Sequence, residues 1–548
     1  MTAASVVPAL NPRRWRAMPI VALAVSIVIM DATVVNVVLP VLIRDLSLTS
    51  ADAEWVNSIY ALVFAALLIT TGRLGDRYGR RRLLIVGIVL FGAGSILAAL
   101  ATGAPALLAA RLVQGVGGAA ILPATLSTVN ALFTGRERGI AFAIWGSTIG
   151  GMAAVGPVVG GWLTTAYSWQ WAFLINIPVV IVVLIGALLL VPETKDEHAT
   201  RGADILGVLL SVVGLSAIVF GLIEGQRFGW WTSSSTRLTL GSLRWDWDIS
   251  PVPVAFLVGV GGVLLFVIHE RSRIKVGRPA LVDLRLFAIR SFRFGSVAAL
   301  VVALGEFGML FALPLFLQGS LGYTALKTGL VILALAIGTF LSSGVTPQLT
   351  NRIGARGVVR VGLLVEALAI LGLGLSVGLD INAWAIAGWL FVYGIGVGMA
   401  TAQLTGVILA EVPVNESGQA SGLQSTVRQL GSALGVALLG SLFITTLATT
   451  MASSLATHSS LTAAERAGVV SVVQNSAGAV IPQLDSLTGQ PGLQTIAESS
   501  MVTATRTTVL TAAGVILLGL LATLALPGAA TARRDDTVLE ADSTASIT

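Results

Sequence analysis

The sequence predicts an all-α polytopic membrane protein, and three observations carry that prediction. Mean hydropathy is +0.90 over 548 residues. Charged residues make up 11% of the chain and apolar ones 55%, against roughly 25% charged residues in an ordinary soluble domain. Apolar runs of about 18 to 25 residues, long enough to cross a ~30 Å hydrocarbon core as a helix, recur along nearly the whole chain. No stretch of useful length is left over for a soluble domain.

Gly, Pro and charge breaks divide these runs into fourteen spans, near 17–43, 54–72, 83–101, 105–130, 139–164, 172–191, 204–223, 252–269, 294–317, 327–346, 358–378, 383–410, 420–447 and 507–527. The first follows Arg13, Arg14 and Arg16 and so resembles a signal peptide, but the run is too long and no small-residue cleavage site follows, so it reads as a retained span. With that cluster on the cytoplasmic side, the termini and the loops sharing that side hold 24 of the 33 Lys and Arg, and the opposite loops hold 7. The positive-inside rule then puts both termini in the cytoplasm. The net charge of +6 is thus assigned to loops beside the lipid bilayer rather than to a nucleic-acid surface. Thirty Arg against three Lys suggest a GC-rich genome, and the expected location is the bacterial inner (cell) membrane. The connection 448–505 is rich in Ser, Thr and Ala and includes the amphipathic "AAERAGVVSVVQ"; a small helical hairpin and a loose loop are both open for it. The tail 528–548 is polar and expected to be disordered.

An internal repeat organises the spans. "GRLGDRYGRRR" (Gly72–Arg82) aligns without gaps on "PQLTNRIGARG" (Pro347–Gly357), placing Leu74, Arg77, Gly79 and Arg81 on Leu349, Arg352, Gly354 and Arg356 at an offset of 275. "RERGIA" (Arg136–Ala141) pairs with "NESGQA" (Asn415–Ala420) at 279. Two parallel halves of six spans follow, with spans 7 and 8 inserted and the substrate path expected between the halves. The expected layout is a cytoplasmic N-terminus 1–16, a six-helix bundle 17–191, an inserted helix pair with its linker 192–293, a second six-helix bundle 294–527, and the tail.

"GRLGDRYGRRR" resembles the loop signature of the major facilitator superfamily, and "ARLVQGVGGA" (Ala110–Ala119) its fourth-span signature, with Arg111 in the key position. "GPVVGGW" (Gly156–Trp162) is similar to the fifth-span motif of antiporters, although Met152 stands where a glycine is usual. "MDATVVNVVLP" (Met30–Pro40) resembles the first-span motif of the fourteen-helix drug:proton antiporter family, whose multidrug and quaternary-ammonium exporters share the extra helix pair and the long outer loop. The resemblance covers about residues 15 to 527. It implies the major facilitator fold and proton-driven efflux of lipophilic, often cationic drugs with no cofactor beyond the proton gradient; a monomer is expected. It also implies a proton-relay role for Arg111 and an outer seal at Gly156, Pro157, Gly160 and Gly161.

The residues themselves point the same way. A carboxylate at mid-bilayer costs about 2.5–3.5 kcal/mol on insertion scales, so it needs a partner, a cavity or a role. Asp31 is therefore the first candidate for coupling protons to substrate, with a structural ion pair as the alternative; Asn36 adds a neutral polar group to the same helix. Glu306, on the equivalent span of the second half, could face Asp31 across one cavity and bind substrate or proton, or be a hydrogen-bonded buried acid. Arg111 stays charged and must be paired, as a relay or as a structural clamp. Glu366 and Arg428 also lie within spans, without an assigned role, and Glu224 and Glu411 lie at span ends. Gly72, Asp76, Arg77, Gly79, Arg80 and Arg81 read as a charged, glycine-bracketed latch between helix ends, or as plain anchoring of a basic loop. The glycines of span 5 allow close helix approach in either case. Trp145, Phe307, Phe311, Trp389 and Tyr393 could offer aromatic faces to a drug or simply pack.

Other classes are excluded on chemistry. None of Lys195, Lys275 and Lys327 follows a glycine, so no GxxxxGK[ST] phosphate loop exists for ATP coupling. With no cysteine and three scattered histidines, no metal site or enzyme is expected. Repeated halves with buried titratable groups fit alternating access better than a channel. The open alternative concerns cargo: a dedicated exporter of an endogenous antibiotic, secondary metabolite or lipid.

Overall fold

The computed structural model describes residues 14–133, 135–195, 204–234, 238–240, 243–278, 280–412, 417–456 and 461–526. Residues 1–13 of the expected N-terminal arm and the whole tail 528–548 lie outside the described residues. Thirteen described helices are long and apolar enough to cross a membrane, and a 32-residue helix, Gly135–Ala166, adds a fourteenth of spanning length. The chain is thus the expected all-α polytopic protein. The first six helices are α1 Arg14–Asp45, α2 Ser50–Tyr78, α3 Arg80–Ala99, α4 Ala104–Leu132, α5 Gly135–Ala166 and α6 Trp171–Leu190. The inserted pair is α7 Ile205–Phe228 and α8 Pro251–Lys275. A two-residue antiparallel pairing, Thr239–Leu240 with Leu243–Arg244, lies in the loop between them. The last six are α9 Arg290–Gly319, α10 Ala325–Thr346, α11 Gln348–Ser376, α12 Ala383–Leu409, α13 Ser417–Ala456 and α14 Leu493–Leu524.

Local chemistry sets several of the helix starts. Thr49 and Asp52 form a reciprocal capping box at the head of α2, Asn382 caps α12, and Ser250 followed by Pro251 opens α8. Within the first half, α1 packs on α4, α5 and α6, and α3 on α4 and α6. Glycine makes the closest of these approaches possible: a Cβ added at Gly117 of α4 would come 2.6 Å from the Phe91 nitrogen of α3. The inserted helices pair with each other through Gly214, Gly259 and Gly262, and α7 rests on α2 and α13, one helix from each half.

The halves meet along α1 with α9, α2 with α13, and α5 with α10. Gln318 of α9 donates to the Val37 carbonyl at 2.8 Å, and the Leu326 N–H donates to Thr165 Oγ1 at 3.1 Å. These contacts gather toward the side opposite the arginine-rich loops, here the far side. There one apolar cluster joins Leu48, Leu107 and Trp169 of the first half to Phe443, Met451 and Met501 of the second.

The connection 448–505 is largely helical. The α13 helix continues to Ala456 and α14 already begins at Leu493, so both outrun the expected spans. Between them stand a helix Ala463–Asn475, started by a Thr462–Glu465 capping box, and short turns at Ile481–Gln483 and Leu484–Thr488. Val469, Val473, Ile481 and Leu484 join the far-side cluster, which is why this Ser- and Ala-rich stretch folds as a cap. Asp485 accepts from the backbone N–H groups of Gly492 and Gln494 at the head of α14. Those two bonds hold its carboxyl below the usual carboxylate range.

Candidate transport sites

Inside the first half, five helices bring their polar residues to one point. The Arg111 guanidinium of α4 meets Asp31 of α1 at 2.5 Å, and each side chain is only 1% exposed. Asp31 Oδ1 also accepts from Gln114 Nε2 at 2.9 Å and from Asn176 Nδ2 of α6 at 3.0 Å. Arg111 donates further to Gln114 Oε1 at 2.9 Å and to the Val56 carbonyl of α2 at 3.2 Å, and its guanidinium lies 4.3 Å over the Tyr60 ring. Ser95 of α3 accepts from both Gln114 and Asn176. A buried ion pair holds its own against desolvation only with this kind of geometry and supporting hydrogen bonds.

The second half is built differently. Glu306 of α9 faces Arg428 of α13 at 3.6 Å, with side chains 12% and 37% exposed. Both line a small, half-open cavity, together with Thr401, Thr405 and Gln424. Asp31 belongs to a sealed cluster made of first-half residues, so the expectation of one cavity shared by Asp31 and Glu306 is corrected. The physical reason is that Arg111 and its amide partners satisfy Asp31 entirely within its own bundle. Asn36 is half-buried on α1. Phe307 packs at the margin of the far-side cluster, and Trp145 donates to Thr125 Oγ1 at 3.3 Å. Of the residues expected to bind substrate, Glu306 lines the cavity and Asp31, Asn36, Phe307 and Trp145 do not.

The glycine-bracketed loop joins α2 to α3 and is fastened to the end of α6. Asp76 pairs with Arg80 at 2.9 Å, one turn away, and Arg77 stacks on its neighbour Tyr78. Arg80 N donates to the Thr194 carbonyl, Arg81 N to Glu193 Oε1 and Arg81 Nη1 to the Val191 carbonyl. Gly79 has φ 117°, a backbone conformation that glycine tolerates best, and a Cβ there would run into the Glu193 carboxylate. The aligned Gly354 has φ 75°, and the aligned Arg356 donates to the Leu526 carbonyl past the end of α14. Each half therefore ties its second-to-third-helix loop to the end of its own sixth helix. Gly72, two turns before the end of α2, sits beside Pro123 of α4.

The α5 motif lies at two close contacts. A Cβ at Gly156 or Gly160 would strike Thr33 or Val34 of α1, and one at Gly161 would strike the Ala325 carbonyl at the start of α10. A Cβ on Gly329 of α10 would likewise strike the Pro157 carbonyl.

Several residues of these sites escaped the sequence reading. Gln114, Asn176 and Ser95 are neutral, and Glu193 lies 112 residues from the loop it holds. Glu54 was also passed over; it is 2% exposed on α2, at the seam beside Gly440 of α13. Gln114 was the most accessible of them, standing one helical turn from Arg111 within the same motif. Asp204, His269 and Glu270 offer ligand atoms within 4.8 Å of one another. However, His269 and Arg273 already hold Asp204, at 2.8 and 3.2 Å, and Glu270 accepts from Val282 N, so the group fastens α7, α8 and the following linker together.

Among the described residues, thirteen helices apolar enough to cross a membrane and a fourteenth of spanning length, in two repeated halves with buried charge in each, define a multi-pass membrane transporter. Residues 21–436 match the Major Facilitator Superfamily, and the chain belongs to that family. It is 34% identical to the "Probable actinorhodin transporter" of Streptomyces coelicolor, over 76% of this chain and 70% of that one. It is likewise 34% identical to the "Puromycin resistance protein pur8" of Streptomyces alboniger, over 77% and 80%, and 31% identical to the "Multidrug efflux pump LfrA" of Mycolicibacterium smegmatis, over 77% and 79%. Among solved structures, a bacterial homolog of the human lysosomal transporter Spinster, inward-facing and unoccupied, shares the fold with a TM-score of 0.60 at 16% identity, covering 94% of this chain and 98% of that one.

Proposed function

We propose that this transporter exports lipophilic, drug-sized molecules by alternating access and takes protons inward in exchange, as a monomer with both termini in the cytoplasm. The observation that carries the reading is the Asp31–Arg111 pair, a carboxylate and a guanidinium sealed together in the middle of the first bundle. A proton arriving at Asp31 neutralises one half of a pair whose hydrogen-bond network joins five helices, whereas its release restores the pair. The resistance and efflux roles in the names of the relatives support outward transport of such cargo. Lipophilic cations are one cargo class. A dedicated exporter of an antibiotic, secondary metabolite or lipid is the second reading, and one observation favours it: Arg428 stands opposite Glu306 in the cavity, so phenolic or acidic groups find a partner there as well as cations.

The test is reconstitution of wild type and Asp31→Asn in liposomes under an imposed pH gradient, with ethidium, puromycin and a phenolic polyketide as probes beside an internal pH dye. Counterflow of probe and protons in the wild type, lost in Asp31→Asn, is the expected result. Transport of the polyketide alone moves the dedicated exporter ahead, and probe movement without protons sinks the exchange reading.

A further inference from the structure

Glu366 of α11 is 1% exposed, and neither of its carboxyl oxygens has a hydrogen-bond partner. The α12 backbone presses against it, since a Cβ on Gly396 would come 2.6 Å from Glu366 Cγ. One turn from Gly396 is Tyr393, itself 1% exposed and with an unpartnered hydroxyl. The charges that reach Glu366 are those of Glu306 on α9 and Arg428 on α13. On the remaining neighbour, α14, Arg506 donates to the Val377 carbonyl about three turns further along α11. On α11 itself, Arg360 is engaged with the Thr523 carbonyl.

We propose that Glu366 binds one of the transported protons and does so in competition with Glu306 for Arg428. This rests on the proton-exchange reading above and adds a second proton site to it. An ionised carboxylate at this depth with no donor on either oxygen is costly, whereas the neutral acid forgoes only ordinary hydrogen bonds. The neutral acid is thus the species that fits this conformation. Loss of its proton to solvent, in a conformation that admits water to this site, breaks the O–H bond and leaves a carboxylate that needs a cation. Arg428 can supply one, because Glu306 holds it at 3.6 Å and it remains 37% exposed. When Arg428 turns to Glu366, Glu306 loses its partner and can take a donor from the substrate. A proton bound from the far side re-forms the O–H bond, returns Arg428 to Glu306 and displaces the substrate. The first half has no counterpart, since the position aligned with 366 at the same offset is Phe91.

Two measurements on the full-length protein decide this. In infrared difference spectra, the carbonyl stretch of a protonated carboxylic acid is expected in the wild type and in Glu306→Gln, and is expected to be lost in Glu366→Gln. If Glu366→Gln does not yield folded protein, Glu366→Asp takes its place, and the band shifts instead of vanishing. A band that neither variant alters overturns the proposal whatever the transport result. In liposomes with ethidium or puromycin and a gradient of about one pH unit, loss of one proton from the cycle lowers the steady-state probe gradient about tenfold, while probe-for-probe exchange without a gradient continues. If the wild type pumps and Glu366→Gln reaches the same gradient, Glu366 carries no transported proton. If the wild type moves neither probe against its gradient, it is the exchange reading that fails.

Discussion

Positions 31 and 306 are related by the same offset of 275 that aligns the two glycine-bracketed loops, yet the two halves treat their acids in opposite ways. Asp31 is locked by a guanidinium and two amides and is 1% exposed. Glu306 has one partner, at 3.6 Å, beside a cavity. The loops, by contrast, keep both the positive-φ glycine and the arginine that reaches the end of the sixth helix. Duplication has preserved the mechanical fastening and let the charge centres diverge. That separates a half whose acid is tightly paired in this conformation from a half whose acid is held loosely.

The largest effect that would break this contrast concerns stability. Arg111→Gln leaves Asp31 buried without its cation and is expected to cost about 3–5 kcal/mol, with the double variant Asp31→Asn/Arg111→Gln losing less than the two single losses combined. Arg428→Gln removes a looser, more exposed partner and is expected to cost less than Arg111→Gln. Intrinsic-fluorescence melting in detergent checks the ranking, and equal losses at the two sites would erase the distinction.

A smaller effect sharpens the similarity of the loops. Alanine at a positive φ costs about 1–2 kcal/mol, so Gly79→Ala and Gly354→Ala both destabilise. Gly79→Ala is expected to be the worse of the two, because its Cβ also meets Glu193 while Gly354 has open space around it. Melting of the two single variants settles the order.

The smallest effect is confined to the far-side cap. Asp485 has a depressed folded-state pKa, so its contribution is present above the unfolded value, about 3.9, and is lost as pH falls through the folded one. Asp485→Asn therefore speeds amide exchange around Gly492 and Gln494 at pH 7, and the difference from wild type closes on strong acidification. Hydrogen exchange at both pH values measures it.

The order of the helices was legible in the sequence because each span is an apolar run bounded by charge or turn residues, and the repeat was legible because Gly79 and Gly354 are held to one backbone conformation. The ends of α13 and α14 were not. Their extension depends on burial against Leu48, Leu107 and Trp169, which are remote in sequence. The charge centres were half legible. Asp31 and Arg111 stand out in their helices, but that Arg111 and not a cavity answers Asp31 depends on a pairing 80 residues apart. Glu193 carries no signal in the sequence, because its role appears only when the ends of α2 and α6 come together.

The length of α13 has a mechanical meaning. Forty residues make a rod of about 60 Å, roughly twice the thickness of the hydrocarbon layer it crosses. Arg428 sits low on that rod, and the cap rides on its opposite end. A tilt of about 10° at the membrane midplane moves the Ala456 end by about 6 Å. A rod of that length can act as a lever, joining the charge at Arg428 near one end to the cap packed against the other.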